Sequence, residues 1–205
     1  MRKYGITAVH YLTRACQLRQ GYSIDGEVCR FMYAALELRC CIERTLFEYL
    51  VLMKRSDLPG TMEKLYRAKV LKNTILNDDP DFLKKLEYMN LLLAAVEAPV
   101  RTAIPDLDKL GSLYGQLNDY LHAPKRPEKT AEAAAWWARL QALVGEAEEH
   151  LKTILSHQVG YIDLNERSWA SFEAWKRGEK TDTEVIEDFR QQAAEEDPKP
   201  GVSDD

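Results

Sequence analysis

The sequence predicts an all-α protein that folds as a single-domain bundle. Apolar residues recur with a helical period along almost the whole chain, and no window of four residues alternates as a half-buried strand does. The chain has 205 residues, of which 45% are hydrophobic and 30% charged, with a net charge of -5. These values are typical of a globular protein and not of a disordered one. We expect six to eight helices built on two long ones.

Two long helices form the framework of the predicted bundle. They run from about residue 24 to 55 and from 130 to 156. Each carries an apolar stripe at helical spacing, which predicts a buried face. The two stripes are Val28, Phe31, Ala35, Leu38, Ile42, Tyr49 and Leu52, and Ala133, Trp136, Leu140, Leu143, Ala147, Leu151 and Ile154.

Shorter helices are predicted around the two long ones. They cover residues 6–19, 61–76, 80–97 and 106–122. An aspartate before Pro80 can cap the helix that starts there, because a proline at the first helical position loses no hydrogen bond. Thr181 and Glu184 have the spacing of a capping box, which predicts the start of a last helix.

The chain is predicted to have three parts. Residues 1–158 form the bundle, and residues 159–193 form a C-terminal helical extension packed on it. We expect this packing because the extension is rich in aromatic side chains that need a surface to dock on. Residues 194–205 are acidic and contain two prolines and a glycine, which favours a disordered tail.

Composition and spacing exclude several classes of protein. His10 and Arg14 interrupt the only apolar stretch near the N-terminus, and no apolar run approaches the ~20 residues of a membrane span. We therefore expect a cytoplasmic protein with no membrane contact. The four cysteines, at positions 16, 29, 40 and 41, lack C-x-x-C spacing, so we predict free thiols and no metal.

The sequence lacks the common catalytic motifs. Di-metal bundles need paired Glu-x-x-His motifs, and Asp119 with His122 is the only acid-x-x-His pair. No glycine-rich phosphate loop and no matched nucleophile and base are present. We predict no cofactor, and we interpret His150 and His157 as solvent-facing side chains near a helix end.

One face of the helix at 106–122 departs from ordinary bundle sequence. Gly111, Gly115, Asn118 and His122 fall at i, i+4, i+7 and i+11 and share this face. Each glycine inside a helix costs about 1 kcal/mol relative to alanine, so their alignment suggests that another backbone comes close. That backbone belongs either to a tight intramolecular crossing, with Asn118 and His122 capping carbonyls, or to a symmetric interface or RNA-facing groove.

Charged residues near this helix allow two interpretations. Arg39 and Glu43 are spaced i,i+4 and predict a half-buried ion pair that fixes helix register. Alternatively they line a pocket with His122, to which Lys125 and Arg126 would add positive charge.

Basic residues in the middle of the chain could likewise form a face for an anionic partner or be ordinary solvated residues. They are Lys64, Arg67, Lys69, Lys72, Lys84 and Lys85.

Two segments carry a resemblance to a known superfamily. Glu37-Leu38-Arg39-Cys40-Cys41-Ile42-Glu43-Arg44 lies in the long second helix, and Tyr120-Leu121-His122-Ala123-Pro124 closes a later one. Over about residues 24–156 the chain resembles HEPN proteins. The resemblance implies an all-α bundle that acts in bacterial or archaeal defence or toxin–antitoxin systems.

The resemblance also implies where chemistry would occur. Catalytic HEPN proteins place an Arg, four to six residues and a His at a dimer interface, where paired motifs cleave RNA without metal. His122 matches the histidine. The arginine would stand at one of positions 115–117, which are Gly, Gln and Leu, so the sequence departs from the catalytic pattern there.

Three functions therefore stay open. The first is a non-catalytic or degenerate interaction module, expected to be a homodimer, for which a protein partner is an open alternative. The second is a metal-independent endoribonuclease using His122, with Asn118 beside it. RNA binding is weakly supported, because no aromatic residues interleave with the basic ones. The third is a small-ligand-binding protein using Tyr49 and Tyr114.

Overall fold

A computed structural model describes residues 6–20, 27–54, 67–122, 130–157, 160–162 and 164–196. Over these ranges the chain forms eight α-helices and no strand, which confirms the all-α prediction. The helices are α1 (Ala8–Gln20), α2 (Glu27–Lys54), α3 (Ala68–Asp78), α4 (Phe82–Ala95), α5 (Leu107–His122), α6 (Thr130–Leu155), α7 (Glu166–Lys176) and α8 (Asp182–Glu196). No helix in this part of the chain is long and apolar enough to cross a bilayer.

The two longest helices lie close to their predicted positions. α2 has 28 residues and α6 has 26. The helix predicted for 61–76 is described from Ala68 to Asp78, and residues 61–66 lie outside the described part. α8 continues past residue 194 to Glu196, and residues 197–205 are likewise not described.

The first core is formed by helices that surround α2. α2 packs against α1, α3, α5 and α6. Leu38, Ile42 and Tyr49 of α2 are fully buried, as the apolar stripe predicts. Tyr49 also packs edge-on against Phe82, with ring centroids 5.3 Å apart. Burial of these side chains supplies most of the driving force that holds the other helices to α2.

A second, smaller core joins α7 and α8 to α4. It contains Tyr88 and Leu92 of α4, Phe172 of α7 and Val185 of α8. The Tyr88 and Phe172 rings lie 5.4 Å apart at a steep angle. α4 also places Phe82 in the first core, so this one helix connects the two.

The segment that leaves α6 is fixed against α4. A Cβ atom at Gly160 would lie 3.0 Å from Met89 Cε and 3.1 Å from Thr102 Oγ1, so a larger residue would crowd both. The Asn90 amide holds Thr102 through two bonds to its backbone, of 2.9 and 2.7 Å. A residue larger than glycine at position 160 would therefore have to displace the Met89 or Thr102 side chain by a few tenths of an ångström.

The start of α4 corrects one prediction. α4 begins at Phe82, and Pro80 lies in the preceding turn, not at the first helical position. The Asp79 carboxylate accepts a 3.2 Å bond from the Asp81 N–H, just before the first residue of the helix. Its side chain is 9% exposed and accepts bonds from Lys85 Nζ (3.0 Å) and the Tyr161 hydroxyl (2.7 Å).

The capping box at the start of α8 is confirmed. The Thr181 N–H donates to Glu184 Oε2 at 2.7 Å, and the Glu184 N–H donates to Thr181 Oγ1 at 3.3 Å. The bonds from Thr181 lower the pKa of Glu184, because they favour its charged form. This reciprocal pair fixes where the last helix begins.

Replacing Lys85 by methionine is expected to lower the free energy of unfolding by about 3 kcal/mol, because the Asp79 carboxylate would stay buried without its cation. Urea unfolding followed by circular dichroism measures the change. Lys84→Met is the matched control, since Lys84 is 53% exposed and its pair with Glu87 contributes at most about 1 kcal/mol. Equal losses in both variants would contradict a special role for the buried pair.

Candidate functional site

The candidate site is one flank of α5. Leu110, Leu113 and Leu117 are buried and anchor the helix in the first core. Gly111, Gly115 and Asn118 lie beside this leucine face and are half-buried. His122 is the last residue of α5, and its side chain lies outside the described part of the structure. Lys125 and Arg126 also lie outside the described residues.

The glycines are not explained by a tight crossing within the fold. A Cβ atom built at Gly111 or at Gly115 meets no atom of the described structure within 4 Å. Within the described part of the chain, no residue therefore makes a close intramolecular crossing at these glycines. The physical reason is that α5 packs on its neighbours through its leucines and through Tyr114, which lie on other sides of the helix.

The glycine flank faces away from α6. α6 meets α5 on the opposite flank, where Lys109 pairs with Glu146 at 2.6 Å and the Tyr120 and Trp136 rings lie 4.8 Å apart. Residues 109 and 120 lie about 120° and 140° from Gly115 around the helix axis, at ~100° per residue. The glycine flank thus lies on the side of α5 that α6 does not cover.

A polar cluster joins α5 to α2 beside this flank. The Tyr114 hydroxyl donates to Glu43 Oε1 at 2.8 Å. Arg39 pairs with Glu43 at 3.6 Å, as its i,i+4 spacing predicts, and lies over the Tyr114 ring at 5.5 Å. Burial raises the pKa of Glu43, while Tyr114 and Arg39 lower it in part. The sequence predicted the ion pair but not its third member, because Tyr114 is 71 residues from Glu43.

Both tyrosines proposed to orient a small ligand are occupied within the protein. Tyr49 is fully buried, and its hydroxyl donates to the Ala103 carbonyl at 3.0 Å. Tyr114 donates to Glu43 as described above. Burial also raises the pKa of Tyr49. These hydroxyls therefore stabilise helix packing, and neither is open to a ligand in this conformation.

Two buried glutamates hold α1 in place, and the sequence pattern did not predict their burial. Glu48 of α2 accepts a 3.0 Å bond from the Ala8 N–H at the start of α1 and pairs with Arg44 at 3.2 Å. Glu148 of α6 is fully buried and pairs with Arg19 of α1 at 3.0 Å. A negative charge at a helix N-terminus is favourable, so Glu48 stabilises α1 where it starts.

The middle basic residues do not all face solvent as free cations. Lys72 pairs with Asp108, Lys84 with Glu87 and Lys85 with Asp79. Lys64 lies outside the described residues, and Arg67 and Lys69 are exposed. The charges in this region are thus partly neutralised by neighbouring carboxylates.

The cysteines that the structure describes are free. Cys16 and Cys40 are half-buried and Cys41 is buried. Burial raises the pKa of Cys41 to about 12, so this thiol stays protonated. The Cys29 side chain is not described. Over the described ranges, no three His, Cys, Asp or Glu side chains are grouped as metal ligands.

His150 corrects a second prediction. It is half-buried, not solvent-facing, and its Nε2 atom has no hydrogen-bond partner among the described residues. His157 is exposed, as predicted. Burial lowers the pKa of His150, and the nearby Lys109 ammonium lowers it further. Asp106 and Glu146 oppose this shift but do not reverse it.

Comparisons with known proteins found no match to this chain among family models, curated protein sequences or solved structures.

Because its pKa is lower in the folded chain than the ordinary 6.5, His150 is expected to make stability depend on pH. Its contribution is fully present above pH 6.5 and is lost as the pH falls from 6.5 to the folded pKa, since the unfolded chain binds the proton first. Between pH 8 and pH 5, the free energy of unfolding of His150→Gln should change less with pH than that of the wild type, because the contribution of His150 is absent. His157→Gln is the control and should keep the wild-type pH dependence, and an unchanged dependence in His150→Gln would contradict this account.

Proposed function

We propose that this chain is a non-catalytic helical interaction module that forms a homodimer through the glycine flank of α5. The flank consists of Gly111, Gly115, Asn118 and His122. The observation that carries the proposal is the open space at the Cβ positions of Gly111 and Gly115. A partner can approach the α5 backbone closely there, because no described side chain stands in the way.

Helix energetics support this role for the flank. Each glycine weakens α5 by about 1 kcal/mol relative to alanine, and nothing in the described fold offsets that loss. A close backbone approach by a partner would offset it, because glycine alone leaves room for such contact. A homodimer uses the same patch on both copies, so one helix face is sufficient to build the whole interface.

The setting that we propose comes from the HEPN resemblance, which stays a prediction. It assigns the chain to a bacterial defence or toxin–antitoxin system. Gly115, Gln116 and Leu117 occupy the positions where catalytic members carry arginine. Catalysis would need an arginine at one of these positions, whereas Gly115 leaves room for a partner helix. We therefore favour interaction over RNA cleavage.

Gly115→Leu is expected to convert a dimer into a monomer, because four side-chain carbons would fill the space that the partner needs. The mass in solution, measured by size-exclusion chromatography with light scattering, checks this. Leucine is a better helix former than glycine, so the monomer should stay folded. Ser112→Leu is the matched control on an exposed position of the same helix and should leave the dimer intact. A dimer of unchanged affinity in Gly115→Leu would contradict the proposal.

Cleavage of RNA in the presence of EDTA tests the competing enzyme role. We expect no cleavage of a tRNA and mRNA pool by the wild-type protein. His122→Ala and the control His157→Ala are compared at equal oligomeric state. Cleavage by the wild type and by His157→Ala, but not by His122→Ala, would overturn the non-catalytic assignment, because a general base at the ribose 2′-hydroxyl would then be established.

A further inference from the structure

We draw no further inference here: the strongest candidate, the polar groove of about 370 Å³ between α7 and α8 that is lined by Arg167, Lys180 and Asp188, carries nothing, because Lys180 pairs with Asp188 and Arg167 with Glu195 inside the chain and nothing among the described residues shows which ligand would occupy it.

Discussion

Burial of the apolar face of α2 is the constraint on which the rest of the structure depends. Leu38, Ile42 and Tyr49 have to be removed from water, and any one neighbouring helix covers only one side of this helix of 28 residues. α1, α3, α5 and α6 all pack against it. The open face on its other side, with Tyr33 and Leu36, is what this arrangement leaves in contact with solvent.

Buried carboxylates then decide which surfaces meet. Glu48 holds the N-terminus of α1, and Glu148 holds Arg19 near the end of the same helix. Asp79 performs a similar role for the segment that follows α6, through Lys85 and Tyr161. Such pairs add little net stability, because desolvation offsets their attraction, but an alternative packing would leave a charge buried and unpaired. They therefore favour one arrangement of the helices over others.

The proposed interface uses positions that the folding of the monomer does not require. The glycines of α5 are not part of either hydrophobic core. Arg39, Glu43 and Tyr114 join α2 to α5 beside these glycines, so the packing of α2 on α5 fixes the position of the glycine flank. In this proposal the fold of the single chain pre-organises the surface that a second copy binds.

The sequence by itself determined the features that depend on neighbours within a few residues. Apolar periodicity gave the all-α class and the extents of α2 and α6, and the Thr181–Glu184 spacing gave the start of α8. It also identified the ion pair of Arg39 and Glu43, which are one turn apart. Tertiary structure decided the rest, because distant residues set it: the open space at Gly115, the burial of His150 and the use of Asp79 by Tyr161, 82 residues away. Helical spacing shows which residues share a side of a helix, but only the packing of the other helices shows what that side faces.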